Sequence, residues 1–158
     1  MPLRPVILNI IFKDSISLSG IGPRTTNLLE KVCGKRLIDL VFTLPKSFID
    51  RRYSPLISEI DSSRICTIKI KIDAHKPPHS KRTKLPYKVF CSDTTSNLTL
   101  IYFRSSSDYL LKLLPIGETR VVSGKVDLYN NEVQMTHPDF VVHPKEIQKI
   151  MRLEPVYP

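Results

Sequence analysis

Two hydrophobic periods divide the chain near residue 55. Over Pro23 to Cys33, Leu28, Leu29 and Val32 share one helical face and the run stops at Gly34; Leu37, Leu40, Val41 and Leu44 then repeat at i, i+3, i+4 and i+7 and stop at Pro45. The spacing predicts two short amphipathic helices. Each is too short to stand alone in water, so each is expected to bury its apolar face against the other or against the body of the protein. From about Arg64 the period becomes two. Cys66, Ile68, Ile70 and Ile72 alternate with Thr67, Lys69, Lys71 and Asp73, the pattern of a strand with one buried and one wet face.

Residues Tyr87 to Ser92 and Leu98 to Phe103 read as a second and third strand, joined across Asp93, Thr94, Thr95, Ser96 and Asn97, a run of turn formers. A short helix fits Ser107 to Leu114, with Ser107 or Asp108 as N-cap and Pro115 as terminator. Glu118 to Tyr129 and Glu132 to Val142 form a final hairpin, whose Asn130 and Asn131 tolerate the positive φ of a tight turn. Three strands, a helix and two more strands is the order of an OB-fold, a five-stranded Greek-key barrel. The expected fold is therefore mainly β (α+β overall), an OB-fold barrel with an N-terminal helical extension. Gly124 in the fourth strand suits a bulge or sharp bend. The expected divisions are 1–55 for the extension, 56–143 for the barrel and 144–158 for the start of a connection.

Composition narrows the function. The 158 residues carry 24 Lys plus Arg against 15 Asp plus Glu, a net charge of +9, so the basic excess needs an anionic partner or open solvent. Nucleic acid is the leading partner and an anionic membrane surface the second. The membrane reading is weaker, because the basic residues cluster on a loop and not on an amphipathic helix. No run approaches the ~20 apolar residues of a membrane span. Val6 to Phe12 is apolar but broken by Asn9, and no small-residue cleavage site follows, so a secretory signal is not expected. Cys33, Cys66 and Cys91 are odd in number and lack C-x-x-C spacing, which disfavours a disulfide framework or zinc ribbon and fits a cytoplasmic protein.

The sharpest local signal is Leu18-Ser19-Gly20-Ile21-Gly22-Pro23-Arg24-Thr25. Gly20 and Gly22 let the backbone turn tightly, and Pro23 suits the first helical position, leaving nearby N–H groups unpaired for a phosphate. This is a helix-hairpin-helix-like pattern, with Arg24 beside it, or equally a turn that merely joins two packed helices. The run His75 to Lys88 holds Lys76, Lys81, Arg82, Lys84 and Lys88 and no acidic residue. In an OB-fold this is the loop between the first two strands, which flanks the ligand face, so these cations are assigned to nucleic acid. His75 and His79 are four apart, but Pro77 and Pro78 forbid a helix between them and make a metal site improbable.

Tyr102 and Phe103 end the third strand, where neighbours point to opposite faces. Either one ring is exposed beside Arg104 as a stacking platform for an unpaired base, or both pack into the barrel and its helix; on the residues alone, packing takes precedence. Arg51 and Arg52 suit phosphate, or equally a carboxylate such as Asp50 or Glu59. His137, in Thr136-His137-Pro138-Asp139, has no nucleophile placed beside it and is assigned a structural hydrogen-bonding role. Gly34-Lys35 and Gly124-Lys125 both lack the rest of a P-loop, so no ATP site is evident and no catalytic residue is assigned.

These residues resemble a family. Leu18 to Pro23, Asp39-Leu40-Val41-Phe42-Thr43-Leu44-Pro45 and Asp50-Arg51-Arg52, then Leu98 to Phe103, Val122-Ser123-Gly124-Lys125-Val126, Met135 to Asp139 and Glu154-Pro155-Val156-Tyr157-Pro158, resemble in order the N-terminal region of the bacterial RecG branch-migrating helicases. The resemblance implies a wedge domain that binds the branch point of a replication fork or Holliday junction in DNA repair and recombination. It implies that Tyr102 and Phe103 match the family's paired aromatics, which stack on junction bases. That reverses the preference for burial. In the family, ATP and Mg belong to a motor of two RecA-like lobes after the Val-Tyr-Pro stretch, where this chain stops. The expectation is a wedge portion without helicase activity or cofactor of its own, binding branched DNA. The alternative is a non-catalytic OB-fold interaction module or remnant that docks a separately encoded motor chain or another protein.

Overall fold

The computed structural model describes residues 5–79, 85–130 and 132–158. Contacts group the chain into two units, one running to Phe48 and taking in Pro155–Pro158, the other Ile49–Glu154. The first begins with 3₁₀ turns at Val6–Phe12 and Ser15–Ser17, followed by α1 (Pro23–Val32) and α2 (Leu37–Phe42). Pro23 opens α1, as its missing N–H allows. Gly34 closes the helix at φ +129, and the Asp39 side chain occupies the space a Cβ would need. That carboxylate in turn accepts the Arg36 N–H at 2.8 Å and caps α2.

Two expectations change here. The glycine turn does not join two α-helices: Lys13 and Ser15 are tied to Leu37 and Lys35 by main-chain bonds of 2.9 and 2.8 Å, which leaves room only for the 3₁₀ turn Ser15–Ser17 ahead of it. Helix α1 instead packs on the turn Ser15–Ser17, and α2, which follows it across Gly34, packs on the turn Val6–Phe12. Nor do the helices hide all their apolar residues, since Val41, Phe42 and Leu44 are 71%, 74% and 80% exposed.

Strand β1 (Ser47–Asp50) leads into the second unit. Its sheet elements are β2 (Ile65–Lys76), β3 (Tyr87–Ser92), β4 (Asn97–Tyr102), β5 (Thr119–Lys125), β6 (Asp127–Tyr129), β7 (Glu132–Thr136) and β8 (Phe140–Val142), with α3 (Ser107–Leu113) between β4 and β5. Helix α4 (Ile147–Ile150) and strand β9 (Leu153–Val156) follow. The seven strands lie in the order β6-β7-β4-β3-β2-β5-β8, all antiparallel except β4 with β7. Strand β2 is central and its alternation sets the core: Cys66, Ile68, Ile70 and Ile72 meet Val89, Cys91, Leu98, Leu100, Leu110, Leu114, Val122 and Met135, all nearly solvent-free. Burial pushes the Cys66 and Cys91 thiols up to about 11 and about 12.

The expected fourth and fifth strands are each split in two. The fourth breaks at Val126, a core residue, and the fifth breaks where His137 takes a left-handed φ of +47 ahead of Pro138. Gly124 makes no bulge, because its β2–β5 register is regular. It is there for close approach: a Cβ would stand 3.2 Å from Met135 Sδ and 3.4 Å from Pro138 Cα. The bulge lies in β2, between Ile72 and Ala74, and carries the strand on to Lys76. The α3 N-cap is Ser106, one residue before the expected position, with its hydroxyl accepting the Tyr109 N–H. Asn130 has the expected positive φ, +50; Asn131 lies outside the described residues.

Polar clasps tie the second unit together. Arg51 is buried and donates from Nε to Glu154 at 2.7 Å and from Nη1 to Asp139 at 2.8 Å, and it lies 4.8 Å over the Phe140 ring. Burial pushes its pKa down, but the bonds to Glu154 and Asp139 outweigh this and raise it. Arg52 forks onto Asp50 at 2.8 and 2.9 Å, so both arginines take the carboxylate reading. Asp93 accepts from the Ile57 N–H at 2.7 Å, from Thr95 N and Oγ1 at 2.6 Å each, and from Ser96 N at 2.9 Å, locking the β3–β4 turn. Burial pushes its carboxyl up, yet these bonds prevail and hold it at about 2.

Arg51→Met is expected to destabilise by roughly 2 kcal/mol in a urea titration, below the range for a fully buried pair because both carboxylates reach solvent; an unchanged midpoint contradicts the clasp. Asp93→Ala is expected to cost about 2 kcal/mol at pH 7. A carboxyl at about 2 in the folded protein, against 3.8 unfolded, stabilises fully above about pH 4 and loses that contribution as the pH falls through about 2. The variant's loss should therefore shrink across that window. A loss equal at pH 7 and pH 2 would show that the bonds do not depend on ionisation.

Candidate nucleic-acid interface

Strand period two decides the end of β4. Leu98 and Leu100 point into the core, so Tyr102 follows them inward and is 6% exposed, while Phe103 is 47% exposed. The burial of Tyr102 raises its pKa, and its hydroxyl has no hydrogen-bond partner among the described residues. His137 stands between the two aromatics, edge-on to Tyr102 at 5.7 Å and tilted 34° to Phe103 at 5.9 Å. Its Nε2 accepts the Phe103 N–H at 2.9 Å, the structural role expected of it. Arg104 is exposed and left-handed at φ +57, which turns the chain away directly after Phe103.

These residues line one side of a cleft of about 1240 Å³, continued by Pro77, Pro78, His79, Leu85 and Tyr87 and by the serines that start α3. His75 is not part of a metal set. It lies between the Tyr87 hydroxyl at 2.9 Å and the Leu114 carbonyl at 2.8 Å; the carbonyl can only accept, so Nε2 carries the proton and Nδ1 accepts from Tyr87. Among the described residues no group of His, Cys, Asp or Glu is arranged to hold a metal ion. No described helix is long and apolar enough to cross a membrane.

The predicted cations divide. Lys76 ends β2 and Lys88 lies in β3, so neither is a loop residue; they face each other directly in the ladder, on the side of the sheet that carries Phe90. Lys81, Arg82 and Lys84 lie outside the described residues. Gly20, with φ +84, Gly22 and exposed Arg24 belong to the first unit. Thr26 returns both its N–H and its hydroxyl to the Gly22 carbonyl, at 3.0 and 3.2 Å.

Sequence reasoning passed over Lys69 and Lys71. Both are exposed on the outer face of β2, and with Lys76 and Lys88 they have no acidic partner among the described residues. The signal was present: they are the wet half of the alternation that identified the strand. The partners of Arg51, 88 and 103 residues away, left no such local signal.

Known proteins resemble this chain in sequence and in fold. The ATP-dependent DNA helicase RecG of Aquifex aeolicus (strain VF5) is 28% identical over 148 residues, covering 93% of this chain and 18% of that protein. That of Haemophilus influenzae (strain ATCC 51907 / DSM 11121 / KW20 / Rd) is 27% identical over 126 residues, covering 80% of this chain and 18% of that protein. The chain thus spans less than a fifth of the length of these relatives. A solved structure of RecG bound to a three-way DNA junction shares the fold, with a TM-score of 0.71 at 24% identity over 93% of this chain and 20% of that one. Residues 16–158 match the RecG wedge domain, and the chain belongs to that family.

Proposed function

We propose that this chain is a branched-DNA-binding module that acts as a passive steric wedge at forks and Holliday junctions. The observation that carries the reading is Phe103, an apolar ring held out at the rim of a cleft beside Arg104. An exposed ring of this kind can stack on the last base pair of an arm, a contact that every base allows. Tyr102 is buried and so is not a second free platform; His137 lies against both rings. The cations Lys76 and Lys88, with Lys81, Arg82 and Lys84 of the same run and Arg24 beside the Gly20 and Gly22 turn, hold duplex arms through phosphates.

A further support is energetic. Like charges directly opposite each other in a ladder are destabilising, and Lys76 faces Lys88. A phosphate between them would relieve that repulsion. In the same reading, β2, β3, β4, β5 and β7 are the five strands of an OB-type barrel, with β7 returning parallel to β4, and residues 56–143 are the wedge. Residues 1–55 form the extension and 144–158 lead toward a motor, as the relatives' name, helicase, suggests. ATP and Mg would act there, and DNA processing would place the chain in the cytoplasm. The exposed Val41, Phe42 and Leu44 favour a second, compatible reading, in which the first unit docks another polypeptide such as a motor chain.

Phe103→Ala is expected to weaken binding to a synthetic three-way fork about tenfold, while binding to a linear duplex of equal length changes less than twofold. Tyr102→Phe should leave the fork preference intact and not lower stability, because the removed hydroxyl has no partner. Equal losses on fork and duplex from Phe103→Ala would remove the wedge role. For the outer face, Lys69→Ala with Lys71→Ala is expected to reduce the salt slope of binding by one to two on fork and duplex alike. An unaltered slope would take these lysines out of the DNA contact.

A further inference from the structure

We propose that His137 is the positioning residue of the wedge, replacing a missing strand neighbour so that Phe103 is held in place for the branch. The inference rests on the wedge reading above. Strand β4 pairs with β7 through Thr99–Gln134, Leu100–Met135 and Ile101–Thr136, and there β7 ends. The His137 N–H still donates to the Ile101 carbonyl at 2.9 Å, but the next N–H along β4, that of Phe103, has no strand carbonyl opposite it. The imidazole supplies the acceptor: Nε2 takes the Phe103 N–H at 2.9 Å. A main-chain N–H can only donate, so Nε2 presents a lone pair and the ring proton lies on Nδ1.

The bond is made by a residue in an uncommon backbone state. His137 has φ +47, and Arg104, next to Phe103, has φ +57. Positive φ in residues other than glycine is rare and persists where the surroundings over-determine it. Two such residues bracket one exposed aromatic. The first swings the imidazole back over the end of β4, and the second takes the chain away so that Phe103 stays at the rim. The ring contacts add to this: the imidazole packs edge-on against Tyr102 and lies tilted along Phe103. Ordering the ring before DNA arrives removes an entropy cost from binding, so losing the acceptor should weaken the branch contact more than the phosphate contacts.

The substitutions separate backbone from acceptor. Asparagine tolerates the left-handed conformation, but its amide is too short to reach where Nε2 lies; glutamine reaches about as far as Nε2 and can accept. In the full chain without DNA, His137→Asn should speed amide hydrogen exchange at Phe103 at least tenfold, and His137→Gln should restore most of the protection. In fork and duplex titrations, His137→Asn should lower the fork-over-duplex preference about fivefold, with duplex affinity within twofold of wild type. Glutamine should recover it, and adding His137→Asn to Phe103→Ala should cost nothing more. Unchanged exchange at Phe103, or additive losses in the double variant, overturns the proposal. So does a His137→Asn chain that keeps its preference when Phe103→Ala loses it. If Phe103→Ala itself leaves the preference intact, the wedge reading fails and this proposal with it.

Discussion

A strand places successive side chains on opposite faces, and at the end of β4 this rule parts two adjacent aromatics, of which the core takes Tyr102. Leu98, Leu100 and Tyr102 go inward; Thr99 and Ile101 on the opposite face are covered as well, and Phe103, on that face but past the end of β4, reaches solvent. Burying an aromatic side chain is worth a few kcal/mol, so the register that takes Tyr102 in is strongly set, and Phe103 is left on the opposite face one residue past the end of the strand. The rest of the second unit maintains that register. Central β2 pairs with both β3 and β5, the Asp93 bonds fix the β3–β4 turn, and β7 closes on the far side of β4 until His137 takes over. The rim of the cleft is thus set by the core beneath it.

Charge is distributed by the same geometry. Arg51, Arg52 and Arg120 are spent on carboxylates, the first deep between Asp139 and Glu154, the others on Asp50 and Glu118 beside them in sequence. Lys125 and Lys149 pair locally as well, and Lys35 pairs with Asp14 across the first unit. What this leaves outward on β2 and β3 is Lys69, Lys71, Lys76 and Lys88. A net charge of +9 spread evenly would serve solubility alone. Four lysines gathered on one face of a sheet, from which β4 runs on to the exposed Phe103 ring, suit an anionic polymer such as nucleic acid.

Most of the second unit could be read directly from the chain because its signals are local. The alternation through Ile72, the turn at Asp93 and the helix stopping at Pro115 each depend on neighbours within a few residues; the turn and the helix formed within a residue of their expected bounds, whereas β2 runs on to Lys76 beyond the expected Asp73. What escaped depends on residues distant in sequence. The bulge after Ile72 lies in the pairing with β3, the His137 imidazole meets the Phe103 N–H from 34 residues away, and Arg51 is buried against carboxylates near the other end of the chain. The site was half legible for the same reason. Alternation alone required that Tyr102 and Phe103 part, and the ring that went inward was decided by the core. Gly20 and Gly22 gave the turn, but the pairing of residues 13–15 with 35–37, which decides what the turn joins, has no signature in either segment alone.

The most direct test of a branch-recognising wedge is the salt dependence of wild-type binding to a synthetic three-way fork and to a linear duplex of equal length. Phosphate contacts fade with salt in proportion to their number, whereas stacking on a base pair does not. The account predicts two lines of similar slope in log K against log salt, separated by an offset that persists at near-physiological ionic strength. Lines that coincide, with binding to both substrates vanishing together as salt rises, would mean that the basic face acts alone and that Phe103 recognises no branch.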